Sequence, residues 1–147
     1  MIRSLAVAAL AGLAATPTLA ASDAAGDAAN GATVFKQCQS CHLVAAPDGT
    51  VLAGKAAKAG PNLYGIVGRA AGSYPDFKYS DSLVAAGAKG LVWDEEQLVK
   101  YLADPTAYLK EYLGDPAARA KMSFKLKKEQ DARDMVAYLV SLAPPAQ

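Results

Sequence analysis

The chain has 147 residues, of which 52% are hydrophobic and 20% charged, a composition typical of one globular domain. Its formal net charge is +1, and Arg3 is the one charged residue among the first twenty, so the remainder is formally neutral. This balance argues against a nucleic-acid-binding protein.

The first twenty residues have the order of a secretory signal peptide: a basic start at Arg3, an apolar stretch, and small residues before Ala20. The stretch is short of the ~20 residues of a membrane span, and Pro17 interrupts it. We therefore predict a cleaved signal peptide at 1–20, rather than an uncleaved anchor, and a single periplasmic domain at 21–147. No later stretch is apolar enough for membrane insertion.

The rest of the chain reads as helices separated by loops. Helices are predicted, in chain order, at 27–35, 63–67, 80–86, 94–104, 107–113 and 128–142. Asp27 and Asp94 are the expected N-caps of the first and fourth of these. Residues 43–62 and 72–79 are expected to be irregular, because they contain turn-forming proline and glycine pairs. Strand patterns are weak throughout, so the predicted fold class is all-α.

The sequence CQSCH, at residues 38–42, contains both cysteines and the only histidine of the chain. A thioredoxin-type dithiol requires alternating strands and helices, which the pattern lacks. A zinc site requires four ligands, and no other cysteine or histidine remains. Covalent haem attachment fits better, because positions 38, 41 and 42 are neighbours on a helical turn. Two thiols can then bond one porphyrin while the imidazole faces its iron, which predicts one covalent haem c per chain.

The second axial ligand of such an iron cannot be histidine. Met122, Met135, a lysine such as Lys121, or no residue at all remain possible. Met135 falls on the apolar face of the last predicted helix, which favours a packing role. Met122 lies in an irregular segment between helices and is the preferred ligand. Ligation by histidine and methionine raises the haem potential and leaves no open site for substrate, which is typical of an electron carrier.

Several motifs occur in a characteristic order: CQSCH, GPNLYGIVGR, FKYSD, WDEEQLVKYLADP, KM at 121–122, and DMVAYL. With these motifs, residues 27–143 resemble the class I c-type cytochromes, most closely the large bacterial subgroup of cytochrome c2 type. The resemblance implies a class I cytochrome c fold, with about four to five helices wrapped round one covalently bound haem. It also implies that Gly31 and Phe35 pack on the last helix, near Met135 and Tyr138.

The resemblance also assigns the site. Cys38 and Cys41 would hold the haem covalently, and His42 and Met122 would be the axial iron ligands. The carbonyl of Pro61 would accept a hydrogen bond from His42, as such contacts orient metal ligands. The haem environment would comprise Pro61, Arg69, Tyr79, Trp93 and Tyr101.

Lysines follow the expected methionine ligand without an intervening acid. The expected docking surface comprises Lys121, Lys125, Lys127 and Lys128, extended by Lys36, Lys55, Lys58 and Lys110. A basic rim of this kind steers a protein toward acidic partners. The resemblance implies a cytochrome bc1 complex as electron donor, a photosynthetic reaction centre or terminal cytochrome oxidase as acceptor, and a monomeric protein.

The resulting hypothesis is a soluble periplasmic one-electron carrier of photosynthetic or respiratory electron transport, and not an enzyme. Two alternatives remain at this point. One is a haem enzyme or gas-binding sensor with a labile sixth ligand. The other is a dedicated electron acceptor for a periplasmic dehydrogenase.

Overall fold

The computed structural model describes residues 26–55 and 58–143. Within them, five helices and one hairpin follow in chain order: α1 (Ala28–Phe35), β1 (Leu43–Ala45), β2 (Val51–Gly54), α2 (Asp81–Ala88), α3 (Glu95–Ala103), α4 (Pro105–Leu113) and α5 (Glu129–Leu142). The prediction of an all-α fold with about four to five helices is confirmed. The signal peptide predicted at 1–20 lies outside the described residues. No helix of the described ranges combines the length and apolar character that crossing a bilayer requires.

The helices begin at side chains that satisfy their first backbone amides. The carboxylates of Asp27 and Asp94 accept hydrogen bonds from amides of α1 and α3, as predicted. Asp104 caps α4 in the same way, and this helix therefore begins at Pro105 rather than at 107. Proline suits the first helical position, because the amide that it lacks would have no partner within the helix.

Two further differences from the predicted helices involve glycines. Helix α2 ends at Ala88 rather than at 86 and so includes Gly87. The missing side chain lets the helix lie close to Ala71, because a Cβ at residue 87 would come 2.0 Å from the Ala71 carbonyl oxygen. The helix predicted at 63–67 is absent. Gly65 and Gly68 have φ angles of 61° and 86°, so two turns replace it.

A short antiparallel hairpin, β1 and β2, lies within the stretch predicted to be irregular. Its turn is closed by the amide of Ala46, which donates to the carbonyl of Thr50 at 2.9 Å. The Asp48 carboxylate also accepts a hydrogen bond from the Thr50 amide, at 2.9 Å. Val51 and Leu52 are exposed, so β2 lacks the buried face that makes a strand recognisable in a sequence.

Helices α1 and α5 pack closely, which brings the two ends of the described chain together. Gly31 permits this contact, because a Cβ there would lie 2.0 Å from the backbone oxygen of Asp134. The rings of Phe35 and Tyr138 meet at a centroid distance of 5.6 Å. The expected packing of Gly31 and Phe35 on the last helix is thus confirmed.

A buried carboxylate also joins these two helices. Asp134 is 2% exposed and accepts hydrogen bonds from the Asp27 amide, the Asn30 side chain and the Gln130 side chain. The hydrogen bond from Asn30 is the main cause that lowers the pKa of Asp134. Because its folded pKa is lowered, the stability that this ionised group contributes is lost as pH falls through that pKa.

Candidate functional site

The residues of the CQSCH motif form a hydrogen-bonded turn directly after α1. The amides of Cys41 and His42 both donate to the carbonyl of Cys38, at 3.0 and 2.9 Å. This helical turn places both thiols and the imidazole on adjacent positions, as the spacing predicted. Burial raises the pKa of the Cys38 thiol to about 11, so this thiol is neutral at ordinary pH.

The imidazole of His42 is held in one orientation. Its Nδ1 lies 2.9 Å from the carbonyl oxygen of Pro61, and because that oxygen only accepts, Nδ1 carries the proton. Burial lowers the pKa of His42, against the opposing effect of this hydrogen bond, so the neutral ring is favoured. Nε2 is left with a free lone pair, which is the form of histidine that binds a metal.

Gly60 lies directly against the His42 ring. A Cβ at residue 60 would come 2.3 Å from Cε1 and 2.5 Å from Nδ1 of the ring. The Gly60 amide also donates to the carbonyl of Cys41, at 2.8 Å. The absence of a side chain at residue 60 therefore allows the loop and the ring to lie this close.

A cavity of about 370 Å³ opens beside this turn. The predicted site residues that line it are Cys38, Cys41, His42, Pro61, Tyr79, Trp93, Tyr101 and Met122. The remaining wall is mainly apolar and includes Ile66, Leu83, Leu98, Met135, Val136 and Leu139. The fold thus brings together, around one apolar space, residues that lie far apart in the sequence.

Two buried aromatic residues form part of this wall. The rings of Trp93 and Tyr101 meet edge to face at a centroid distance of 5.0 Å, and they are 4% and 8% exposed. Burial raises the pKa of Tyr101 to about 12, so its hydroxyl stays protonated and can donate a hydrogen bond into the cavity.

Arg69 is predicted to belong to the haem environment but is not among the residues that line the cavity. Its guanidinium donates to the carbonyl of Asn62 at 3.0 Å and lies over the Tyr74 ring, 5.1 Å from its centroid. Within the described residues it forms no salt bridge. A half-buried cation without a carboxylate partner is suited to an anionic group of a bound ligand.

Both candidate methionines line the cavity, but one lies on a helix and the other in an irregular segment. Met135 is 2% exposed and is fixed on α5 within the core. Met122 is partly buried and lies in a segment between α4 and α5 that has neither helix nor strand. Lys121, the alternative ligand, directs its Nζ toward the carbonyl of Lys78, at 2.5 Å.

The predicted docking lysines lie mostly in solvent. All eight are exposed except Lys110, which is partly buried. Lys121 lines the cavity, whereas Lys125 forms an ion pair with Asp104 at 2.5 Å. The pairing of Lys125 reduces its value as a free docking charge.

Sequence reasoning missed three residues that shape the site. They are Gly60 beside His42, and Ser82 and Thr106, whose hydroxyls contact the segment that carries Met122. Gly60 precedes a proline, which indicates a turn but not the contact with the ring. No local pattern identifies the two hydroxyls, since their partners lie 37 and 14 residues away.

The family model for cytochrome c matches residues 28–143, which is most of the chain. The chain belongs to the cytochrome c family. A curated relative, cytochrome c2 of Cereibacter sphaeroides, is 55% identical over 139 residues, covering 94% of each chain. Cytochrome c-550 of Paracoccus pantotrophus is 48% identical and covers 82% of this chain and 90% of its own. The crystal structure of cytochrome c2 from Rhodobacter sphaeroides superposes with a TM-score of 0.79 at 53% identity, covering 83% and 99%.

A c-type cytochrome carries its haem covalently, and the residues here fit that group. Cys38 and Cys41 occupy the two cysteine positions of the Cys-x-x-Cys-His motif, on one turn beside an apolar cavity. The neutral imidazole of His42 adds a nitrogen donor suited to iron. The protein is therefore a c-type cytochrome that functions as an electron carrier.

Proposed function

We propose that the protein is a periplasmic one-electron carrier in which His42 and Met122 are the protein ligands of the haem iron. The observation that supports this most directly is the shared cavity, which is lined by both motif thiols, the free side of His42, and Met122. Met122 is favoured over Met135 because it belongs to an irregular segment, which can present a side chain to a ligand. Met135 is fixed on a packed helix.

The chain's own residues would each make one contribution to this function. When bound, the haem supplies an iron that gains and loses one electron. Pro61 holds the His42 proton on Nδ1, and the apolar wall excludes water, both of which tune a metal centre. With His42 and Met122 as its two protein ligands, the iron would offer no site to a substrate. A haem enzyme or gas sensor is correspondingly disfavoured, and weak carbon monoxide binding by the reduced protein is expected.

The partners proposed are a cytochrome bc1 complex as donor and a photosynthetic reaction centre or cytochrome oxidase as acceptor. The exposed lysines that follow Met122 support transient docking, since a basic rim attracts acidic surfaces. Glu95 and Glu96, at the start of α3, are engaged by Arg133 of α5, with which both form ion pairs. A basic rim of this kind would orient a nearly neutral protein as it approaches a partner.

Neutralising Lys127, which forms no salt bridge with any acid in the described part of the chain, tests this steering. We expect Lys127→Gln to slow reduction by a purified cytochrome bc1 complex roughly threefold at low ionic strength and little at high, because salt screens exposed charges. Stopped-flow kinetics over a salt series measure both rates. Lys100→Gln is the matched control: Lys100 is exposed, and on α3 it lies nearly opposite Leu98, Tyr101 and Leu102, which line the cavity. Equal slowing at all salt concentrations, or equal slowing by both variants, would contradict docking through Lys127.

A further inference from the structure

The segment that carries Met122 has few internal constraints. It is anchored at its two ends by buried residues: Ala118 is 1% exposed, and Leu126 is 6% exposed and donates its amide to the Leu102 carbonyl at 2.8 Å. Between these anchors, residues 119–125 form neither helix nor strand. The position of Met122 therefore depends on contacts made outside the segment.

Two side-chain hydroxyls supply such contacts. The amide of Arg119 donates to Oγ of Ser82 at 3.0 Å, and the amide of Ala120 donates to Oγ1 of Thr106 at 3.2 Å. Within the described residues, no other backbone amide of residues 119–125 is hydrogen-bonded. The two contacts precede Met122 by only two and three residues, so they limit where its side chain can reach.

The hydroxyls are themselves held by well-packed helices. Ser82 is the second residue of α2 and Thr106 the second of α4, and these two helices contact each other. The residue after Ser82, Leu83, is buried and lines the cavity. The acceptors are thus fixed relative to the cavity wall. The other polar contacts that the segment makes to distant parts of the described chain come from long, exposed lysine side chains: Lys121 on the Lys78 carbonyl and Lys125 on Asp104.

We infer that Ser82 and Thr106 are positioning residues that clamp residues 119–120 and so keep Met122 at the iron. This inference rests on the proposed ligation by Met122. If an outside ligand displaces Met122, the segment would move away from the iron, and the hydrogen bonds of Arg119 and Ala120 would resist that movement. The clamp therefore lowers the free energy of the methionine-bound state relative to the displaced state. A ligand that takes the place of Met122 must supply that free-energy difference, so its apparent affinity is lowered.

Imidazole titration of the ferric, haem-loaded protein measures the free-energy difference between the methionine-bound and displaced states. Displacement is followed by loss of the weak near-infrared band that iron–sulfur ligation produces. We expect Ser82→Ala and Thr106→Val each to raise the apparent affinity for imidazole about threefold to tenfold, the effect of one lost hydrogen bond. The double variant should show about the product of the two changes.

Two further variants serve as controls. Thr106→Ser retains the hydroxyl and should keep the wild-type affinity. Ser141→Ala removes a hydroxyl that donates to the Tyr138 carbonyl on α5, outside the cavity wall, and should also leave the affinity unchanged. Unfolding by denaturant, measured in parallel, separates a general loss of stability from the specific effect on ligation.

The possible outcomes distinguish failure of the clamp from failure of the proposed ligation by Met122. If the wild-type protein shows the band and the Ser82 and Thr106 variants bind imidazole as it does, the clamp is refuted, even if the variants unfold more easily. If the wild-type protein lacks the band, the assignment of Met122 fails and the clamp with it. Raised affinity in both single variants, with wild-type behaviour of Thr106→Ser, supports the clamp.

Discussion

Gly31→Ala is expected to lower the unfolding free energy of the haem-loaded protein by about 3 kcal/mol or more. The added methyl carbon would lie 2.0 Å from the backbone oxygen of Asp134 and 2.7 Å from Cβ of Tyr138. Neither is the free end of a flexible side chain, so α1 and α5 must move apart. That movement also strains the hydrogen bonds that Asp134 accepts from Asp27 and Asn30.

Equilibrium unfolding in denaturant, followed by circular dichroism, measures this loss. Ala29→Val is a matched control, because it enlarges an exposed residue of the same helix and should change the free energy by about 0.5 kcal/mol or less. A loss below about 1 kcal/mol for Gly31→Ala would show that the helices tolerate the extra carbon, contrary to the packing described.

Gly60→Ala is expected to displace the His42 ring. A methyl carbon 2.3 Å from Cε1 and 2.5 Å from Nδ1 cannot coexist with the present ring position or with the hydrogen bond to Pro61. Loss of a partner that orients a metal ligand typically weakens binding about tenfold to a hundredfold. We expect His42 to dissociate from the iron at a correspondingly lower denaturant concentration, seen as a shift of the main haem absorption band.

Gly65→Ala is the control for this prediction. It distinguishes the effect of contact with the His42 ring from the general cost of adding a side chain at a glycine. At Gly65 a Cβ would meet nothing within 4 Å, but its φ of 61° makes alanine unfavourable by about 1 kcal/mol. This variant should lose stability while its absorption spectrum in the native state stays unchanged. If Gly60→Ala leaves both the spectrum and the denaturant concentration of His42 dissociation unchanged, the contact with residue 60 does not constrain the His42 ring.

Much of this architecture could be predicted because the deciding signals are local. Asp27 and Asp94 precede amphipathic stretches, and their carboxylates do cap α1 and α3. The Cys-x-x-Cys-His spacing determines which side chains share a turn, and that turn is present. The order of the motifs along the chain was specific enough to indicate the family.

The features that could not be predicted depend on contacts between distant parts of the chain. Strand β2 has no buried residue, and the hairpin is held in part by its turn and by Asn62, whose side-chain amide bonds the backbone of Ala45. Gly87 lies within α2 so close to the Ala71 carbonyl that a side chain there would not fit. In the sequence Asp134 resembles an ordinary surface acid. Its burial results from the packing of α1 against α5.

The central claim, that Met122 completes the iron's ligation in an electron carrier, is tested most directly by absorption spectroscopy. The visible and near-infrared spectra of the ferric wild-type protein and of Met122→Ala would be recorded, with Met135→Leu as the matched control. We predict that the wild type and Met135→Leu show the weak iron–sulfur band and that Met122→Ala lacks it. A wild-type protein without the band, in a high-spin state or binding carbon monoxide freely when reduced, would contradict the account, as would retention of the band in Met122→Ala.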